Sequence, residues 1–248
     1  PQGTAHLAQG LQGLPFKVAP LARAAAEGAQ VLFATAPSLI TACRKAAAAY
    51  PHIKILNCSV AMPYPGVRTY YCRIYEGKFI AGALAGAMTR TDTLGYIASS
   101  PIFGVPAGIN AFALGARLTN PRARVLLRWS CVEDNSLPAL LAAGADLISN
   151  RDLPFPGRPR EQWGLNLLEA NGTVRSLGSP IWNWGIFYEK LLKGILQGHW
   201  GDTVYDSEPR ALNYWWGMGS GVVLSANGDA VTCGHLVNGV ARLVAEMA

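Results

Sequence analysis

The histidines, cysteines, hydroxyl residues and glycine clusters are the residues here that could do chemistry, and their spacing excludes most of it. The four histidines, His6, His52, His199 and His235, are scattered. None has a second histidine four residues away with a glutamate beside it, so no metalloprotease-type zinc pair forms. A lone histidine is more often structural than a ligand. Gly217-Met218-Gly219-Ser220-Gly221 approaches a nucleophile elbow but has the wrong order. It also lacks the Gly-x-Gly-x-x-Gly spacing of a dinucleotide site, and the chain has no phosphate-binding P-loop. The five cysteines, Cys43, Cys58, Cys72, Cys131 and Cys233, are far apart and contain no Cys-x-x-Cys pair. Their odd number rules out complete disulfide pairing, and the expectation is small buried hydrophobes without a metal. No nucleophile–base set and no cofactor motif can be assembled, so neither catalysis nor a cofactor is expected.

What remains is hydrogen-bonding chemistry at the ends of strands. The text alternates between strand-like and helix-like segments. Helices are expected over 17–28, 37–49, 73–89, 105–118, 137–143 and 183–197, with a closing helix near 236–247. Non-alternating apolar runs, the mark of strands covered on both faces, occupy 30–35, 53–58, 94–99, 124–129 and 145–149. Asn171-Gly172 between two apolar runs predicts a hairpin within 164–180. Residues 151–160 read as a Pro-rich loop and 212–224 as an aromatic, Gly-rich segment. The helix at 183–197 should present Phe187, Leu191, Leu192, Ile195 and Leu196 on one side.

This rhythm calls for an α/β protein with parallel sheets and helices on both faces. In such sheets ligands bind beyond the carboxyl ends of the strands. That rule selects the loops at 36–38, 57–59, 99–104, 130–131 and 150–152, whose amides and hydroxyls suit a neutral polar ligand. Gly82 and Gly86 form a small-x-x-x-small pair that lets one helix lie close against its neighbour. Six of the seven tryptophans, Trp163, Trp182, Trp184, Trp200, Trp215 and Trp216, follow residue 160, with one or two expected in a ring-stacking pocket and the rest in the core.

The 248 residues allow one large domain or two small ones. Half are hydrophobic and 15% are charged, which excludes a disordered chain. The net charge of +6 carries no basic run, so nucleic acid is not an expected partner. The longest low-charge apolar stretch, 79–88, is half the roughly 20 residues that a membrane-spanning helix requires. No signal peptide opens the chain, so a membrane link would run only through a lipid anchor absent from this sequence.

The segment Thr69-Tyr70-Tyr71-Cys72-Arg73-Ile74-Tyr75-Glu76-Gly77-Lys78-Phe79-Ile80-Ala81-Gly82 resembles the basic membrane protein (BMP) family of ABC-transporter solute receptors for purines and nucleosides. The likeness continues through Gly95-Tyr96-Ile97-Ala98-Ser99, Ile109 to Ala116, Asn120-Pro121, Trp129, Gly144-Ala145-Asp146 and Trp182-Asn183-Trp184-Gly185 with Tyr188. It covers most of the chain from about residue 20 to about 220. The resemblance implies a type I periplasmic-binding-protein fold, two doubly wound parallel-sheet lobes joined by a hinge and closing on a ligand. Lobe one would take 1–93 and about 181–210; lobe two and the crossing segment would take 94–180 and about 211–248.

The resemblance also implies site residues. Asn57 ends a strand facing the cleft, with Ser59 beside it, and Glu76 matches an acidic position of the next helix, where the alternatives are ligand binding and capping or bracing the hinge. Phe103, Trp129, Ser130 and Asp152 follow later strands, and Trp182, Asn183 and Trp184 match a motif on the hinge side. The implied partners are a purine or nucleoside and an ABC permease, the implied location extracytoplasmic and lipid-anchored in a bacterium. Against the family pattern, the opening is short by about one strand–helix–strand unit, which would remove half of a ring-stacking pocket. The alternative is a truncated or regulatory relative that senses or dimerises through an exposed sheet edge.

Overall fold

The computed structural model describes residues 19–60, 63–102, 104–132, 135–150, 164–182, 184–200, 213–218 and 222–226. The expected opening, the loop at 151–160 and the closing helix at 236–247 lie outside them. The chain divides into two compact units, one formed by Pro1–Cys72 and Asn183–Trp216, the other by Arg73–Trp182 and Gly217–Ala248.

The first unit runs α1 (Leu21–Ala26), β1 (Val31–Ala34), a 3-10 turn (Pro37–Leu39), α2 (Ile40–Ala49), β2 (Lys54–Cys58) and β3 (Val67–Cys72), and is completed by α6 (Trp184–Leu196) and β9 (Asn213–Trp216). Its sheet, ordered β1-β2-β3-β9, is parallel throughout. Side chains of alternate residues face opposite ways. Leu32, Ala34, Ile55 and Val67 therefore pack under α1 and α2 with Ala25, Cys43 and Ala46. Val31, Phe33, Leu56, Cys58 and Tyr70 face α6 on the other side. Both faces are covered, which is why these strands read as apolar runs rather than alternating ones. Phe187 and Leu192 of α6 are buried, and Leu191 and Ile195 pack beside them. Leu196, expected on that face, is 65% exposed because it falls at the last turn, beyond the sheet's cover.

The second unit contains α3 (Ile74–Met88), β4 (Thr93–Ala98), α4 (Val105–Thr119), β5 (Arg124–Trp129), α5 (Ser136–Ala142), β6 (Leu147–Ser149), β7 (Leu165–Leu168), β8 (Val174–Trp182) and β10 (Val222–Ala226). Its sheet is ordered β10-β8-β7-β6-β4-β5. The pairs β4–β5 and β4–β6 are parallel, whereas β6–β7, β7–β8 and β8–β10 are antiparallel. The sheet is thus mixed rather than wholly parallel. The hairpin at Asn171-Gly172 makes the β7–β8 pair antiparallel, a reversal that needs no helical crossover. Gly172 takes φ +83°, a conformation open to glycine, and Asn171 Oδ1 accepts from the Thr173 amide at 3.0 Å and its hydroxyl at 2.7 Å.

The unit boundary falls at Cys72/Arg73, before α3, and not near residue 93 as expected from the sequence. Residues 213–216 likewise join the first unit as β9 rather than crossing within the second. The reason for the first difference lies in α3 itself. A Cβ at Gly82 would overlap the Phe112 carbonyl, one at Gly86 the Ala116 carbonyl, and one at Gly115 the Phe79 carbonyl. The two helices α3 and α4 therefore meet backbone to backbone, and the Thr119 hydroxyl donates across the contact to the Ala83 carbonyl at 2.7 Å. That contact commits α3 to the second unit. Gly115→Ala should destabilise the protein by about 1–3 kcal/mol or more through overpacking. Gly194→Ala, at a mid-helix glycine with open space around it, should stabilise it by about 0.5–1 kcal/mol. Urea titrations of the two variants check the opposite signs.

Candidate functional site

At the carboxyl end of the first unit's sheet, one register row runs Ala34–Asn57–Thr69–Asn213 across all four strands. The parallel register turns these side chains to the same face, the one that α1 and α2 cover nearer the strands' starts. Thr69 Oγ1 donates to Asn213 Oδ1 at 2.9 Å. Asn57, fully buried, donates from Nδ2 to the Ala36 carbonyl at 2.8 Å, which fixes it against the entry to α2. Its Oδ1 is buried with no hydrogen-bond partner among the described residues, and so is the hydroxyl of Ser59. Most buried polar atoms in folded proteins are paired, so two orphans two residues apart mark this strand end. Both are among the residues expected at this strand end from the sequence.

The other candidates have different surroundings. Glu76 is engaged on both carboxylate oxygens: Oε1 takes Nε of Arg73, and Oε2 accepts from the Met218 amide at 2.6 Å. Gly217 is packed against the Arg73 guanidinium, leaving no room for a Cβ. Glu76 thus braces the place where the chain enters the second unit at Arg73 and re-enters it at Gly217. Trp129, at the end of β5, packs against the second unit's core, and the Ser130 amide donates to the Ala98 carbonyl at 2.8 Å. Trp182 ends β8, half-buried. Trp184 opens α6 and packs edge-on to Tyr70, with ring centres 5.4 Å apart, and stacks on Tyr188 at 6.3 Å. Phe103, Asp152 and Asn183 lie outside the described residues.

Sequence reading gave Lys78 no role beyond its place just before the low-charge apolar stretch 79–88. Lys78 is 1% exposed. Its ammonium donates to the Ser149 hydroxyl at 2.8 Å and lies 4.9 Å from the centre of the Tyr96 ring. Ser149 and Asn150, both buried, end β6, so this polar group occupies the strand-end position in the second unit.

The aromatic residues mostly pack. A groove of about 90 Å³ lies on the opposite face of the first sheet, between α6 and β9. Its Arg68 is spent on internal bonds, to Tyr214 Oη at 2.6 Å and the Trp200 carbonyl at 3.0 Å, and lies 3.9 Å from the centre of the Trp200 ring. Tyr70 stacks on Phe187 at 4.9 Å and its hydroxyl meets that of Tyr188 at 3.0 Å. Burial pushes the Tyr188 hydroxyl up to about 12, and that of Tyr70 further, so neither serves as an acid or base near neutrality. Burial likewise pushes the Cys58 thiol up to about 12 and that of Cys43 to about 11. Among the described cysteines only Cys131 is exposed. No group of His, Cys, Asp and Glu among the described residues can hold a metal ion, and no described helix is long and apolar enough to cross a membrane.

Two α/β units made of interleaved chain segments are an architecture shared with solved ABC transporter solute-binding proteins. A solved protein of that class from Conexibacter woesei superposes with a TM-score of 0.67 at 15% identity, covering 99% of this chain and 91% of its own. Residues 17–142 match the family described as Bmp, ABC transporter substrate-binding protein PnrA-like, and the chain belongs to that family, a class of binding proteins and not of enzymes. A Brucella abortus purine-binding protein is 28% identical over 217 residues, 82% of this chain and 59% of that protein. A Haloferax volcanii protein, named for ABC transporter glucose binding, is 34% identical over 166 residues, 62% of this chain and 40% of that protein. The chain therefore spans about half the length of these curated relatives.

Glu76→Ala should destabilise the protein by about 1.5–3 kcal/mol, because it removes a charged hydrogen-bond acceptor from the Met218 amide and from Arg73; thermal melting checks this. In the native state, maleimide should label Cys131 rapidly and leave Cys43, Cys58 and Cys72 unmodified until unfolding, as peptide mapping by mass spectrometry would show. The buried thiols remain protonated in the folded state above the pH at which they ionise when unfolded. Stability should consequently fall as pH climbs past about 9, the ordinary thiol value. Urea midpoints at pH 7.5 and pH 10 test that sign.

Proposed function

We propose that this protein is the solute-binding component of an ABC transporter, capturing a purine, nucleoside or related heteroaromatic compound and delivering it to a membrane permease. The observation that carries the reading is the buried Asn57–Ser59 pair at the carboxyl end of a parallel sheet, in a chain of this family. Open α/β sheets bind their ligands at that end. The purine class draws on the Brucella abortus relative, whose alignment covers the larger share of this chain. The Haloferax volcanii relative supports a sugar as the competing ligand. On this reading the protein works outside the cytoplasm, held to the membrane by a lipid anchor.

Isothermal titration calorimetry against adenine, hypoxanthine, guanosine, adenosine and glucose tests the assignment. Saturable binding to at least one purine or nucleoside is expected. It should be accompanied by a rise in melting temperature worth about 2.7 kcal/mol at 100 times the dissociation constant. Binding to glucose alone would move the protein to the sugar class, and no binding by any member of the panel would overturn the reading.

A further inference from the structure

We infer that Asn57 sets the hydrogen-bond polarity of the solute site: it presents a fixed acceptor, so the solute must bring an N–H or O–H to it. This rests on the solute-binding reading above. The argument begins with the Ala36 carbonyl, which can only accept. The Asn57 atom 2.8 Å from it must be the amide nitrogen, because the flipped amide would press two oxygens together. Strand pairing on both sides, to Ala34 and to Thr69, fixes the Asn57 backbone. The amide therefore cannot turn over to suit a ligand, and Oδ1 keeps its direction.

Along the same register row the next polar side chains satisfy one another, since Thr69 bonds Asn213. At Asn57, by contrast, a fully buried acceptor has no partner among the described residues. Ser59, 2% exposed, follows two residues later with its hydroxyl in the same condition. A buried acceptor left unpaired lowers stability, and a site built to hydrogen-bond a solute strongly rejects an analogue lacking the matching group. A hydroxyl can rotate to donate or accept, whereas Asn57 Oδ1 cannot. The site accordingly discriminates through Asn57, against carboxylates and against purines whose ring and exocyclic nitrogens are all alkylated. A heterocycle N–H and a sugar O–H share the required chemistry.

The test uses the full chain, Asn57→Leu and Ser59→Ala. Calorimetry is run with adenine, hypoxanthine and glucose, and with N6,N6-dimethyladenine methylated also at N9 and methyl-blocked glucose. The purine and sugar arms identify which source supplies the donor. For whichever probe binds the unaltered protein, blocking its donors should weaken binding by about 10–100-fold, and Asn57→Leu should weaken the unblocked probe by a similar factor. Asn57→Leu should bind blocked and unblocked probes about equally. In the absence of ligand, Ser59→Ala should melt at the same temperature as the unaltered protein or higher, yet bind at least 5-fold more weakly. A polar group with a merely structural role would lower the melting temperature and leave affinity untouched, and that result in both variants overturns the inference alone. Failure of every probe to bind the unaltered protein overturns the solute-binding reading and the inference that rests on it.

Discussion

A parallel sheet covered by helices on both faces has no wet surface, and that constraint organises this molecule. Such a sheet hides its side chains wherever helices lie over it, so recognition must move to the strand ends. The first unit shows the division within single strands. Ile55 and Leu56 in β2 are fully buried among apolar neighbours, and one residue further Asn57 is just as buried but polar. Burial is the same along the strand; what changes is whether the neighbours can satisfy a hydrogen bond. The stability lost at the orphaned Asn57 and Ser59 is the kind of deficit that binding sites carry and cores do not.

The second unit shows how much of a family's sequence pattern can be scaffold. Asn120 donates to Asp92 at 2.7 Å and accepts from the Arg122 amide at 3.0 Å, tying the end of α4 to the turn before β4. Asp146 accepts from the Thr89 hydroxyl at 2.6 Å and the Arg90 amide at 2.7 Å, fixing the end of α3 to the start of β6. Gly82 and Gly115 permit the helix contact. These positions carried the resemblance because backbone packing tolerates few alternatives there, whereas a ligand-facing position can change with the ligand.

Much of the architecture was legible in the sequence, for identifiable reasons. β5 occupies the expected residues 124–129, since Arg124 and the turn at Asn120-Pro121 isolate its apolar run. The Asn171-Gly172 hairpin and the Gly82–Gly86 pair were likewise visible from local chemistry. β3 was not, although Val67-Arg68-Thr69-Tyr70-Tyr71-Cys72 has strong strand propensity. It follows β2 after only residues 59–66, with no named helix between, so the strand–helix alternation that exposed its neighbours fails there. Asn57 and Ser59 could be found because the end of an apolar strand is a sequence feature. A bracing role for Glu76 was open in the sequence but its partner Met218, 142 residues away, was not, and the buried Lys78 was missed because its partner Ser149 is 71 residues away.

The pairing of β3 with β9 has a consequence for synthesis of the chain. Thr69 and Asn213 are 144 residues apart, so the first unit's sheet stays open along β3 until the ribosome has released Trp216. The intervening Arg73–Trp182 already contains five of the six strands of the second unit's described sheet, lacking only β10. The middle of the polypeptide can therefore condense before its beginning does, and β1 to β3 wait as an exposed apolar sheet for a late-arriving partner. Chaperone demand during synthesis would then fall on β1 to β3, which emerge before the second unit's strands and are completed after most of them.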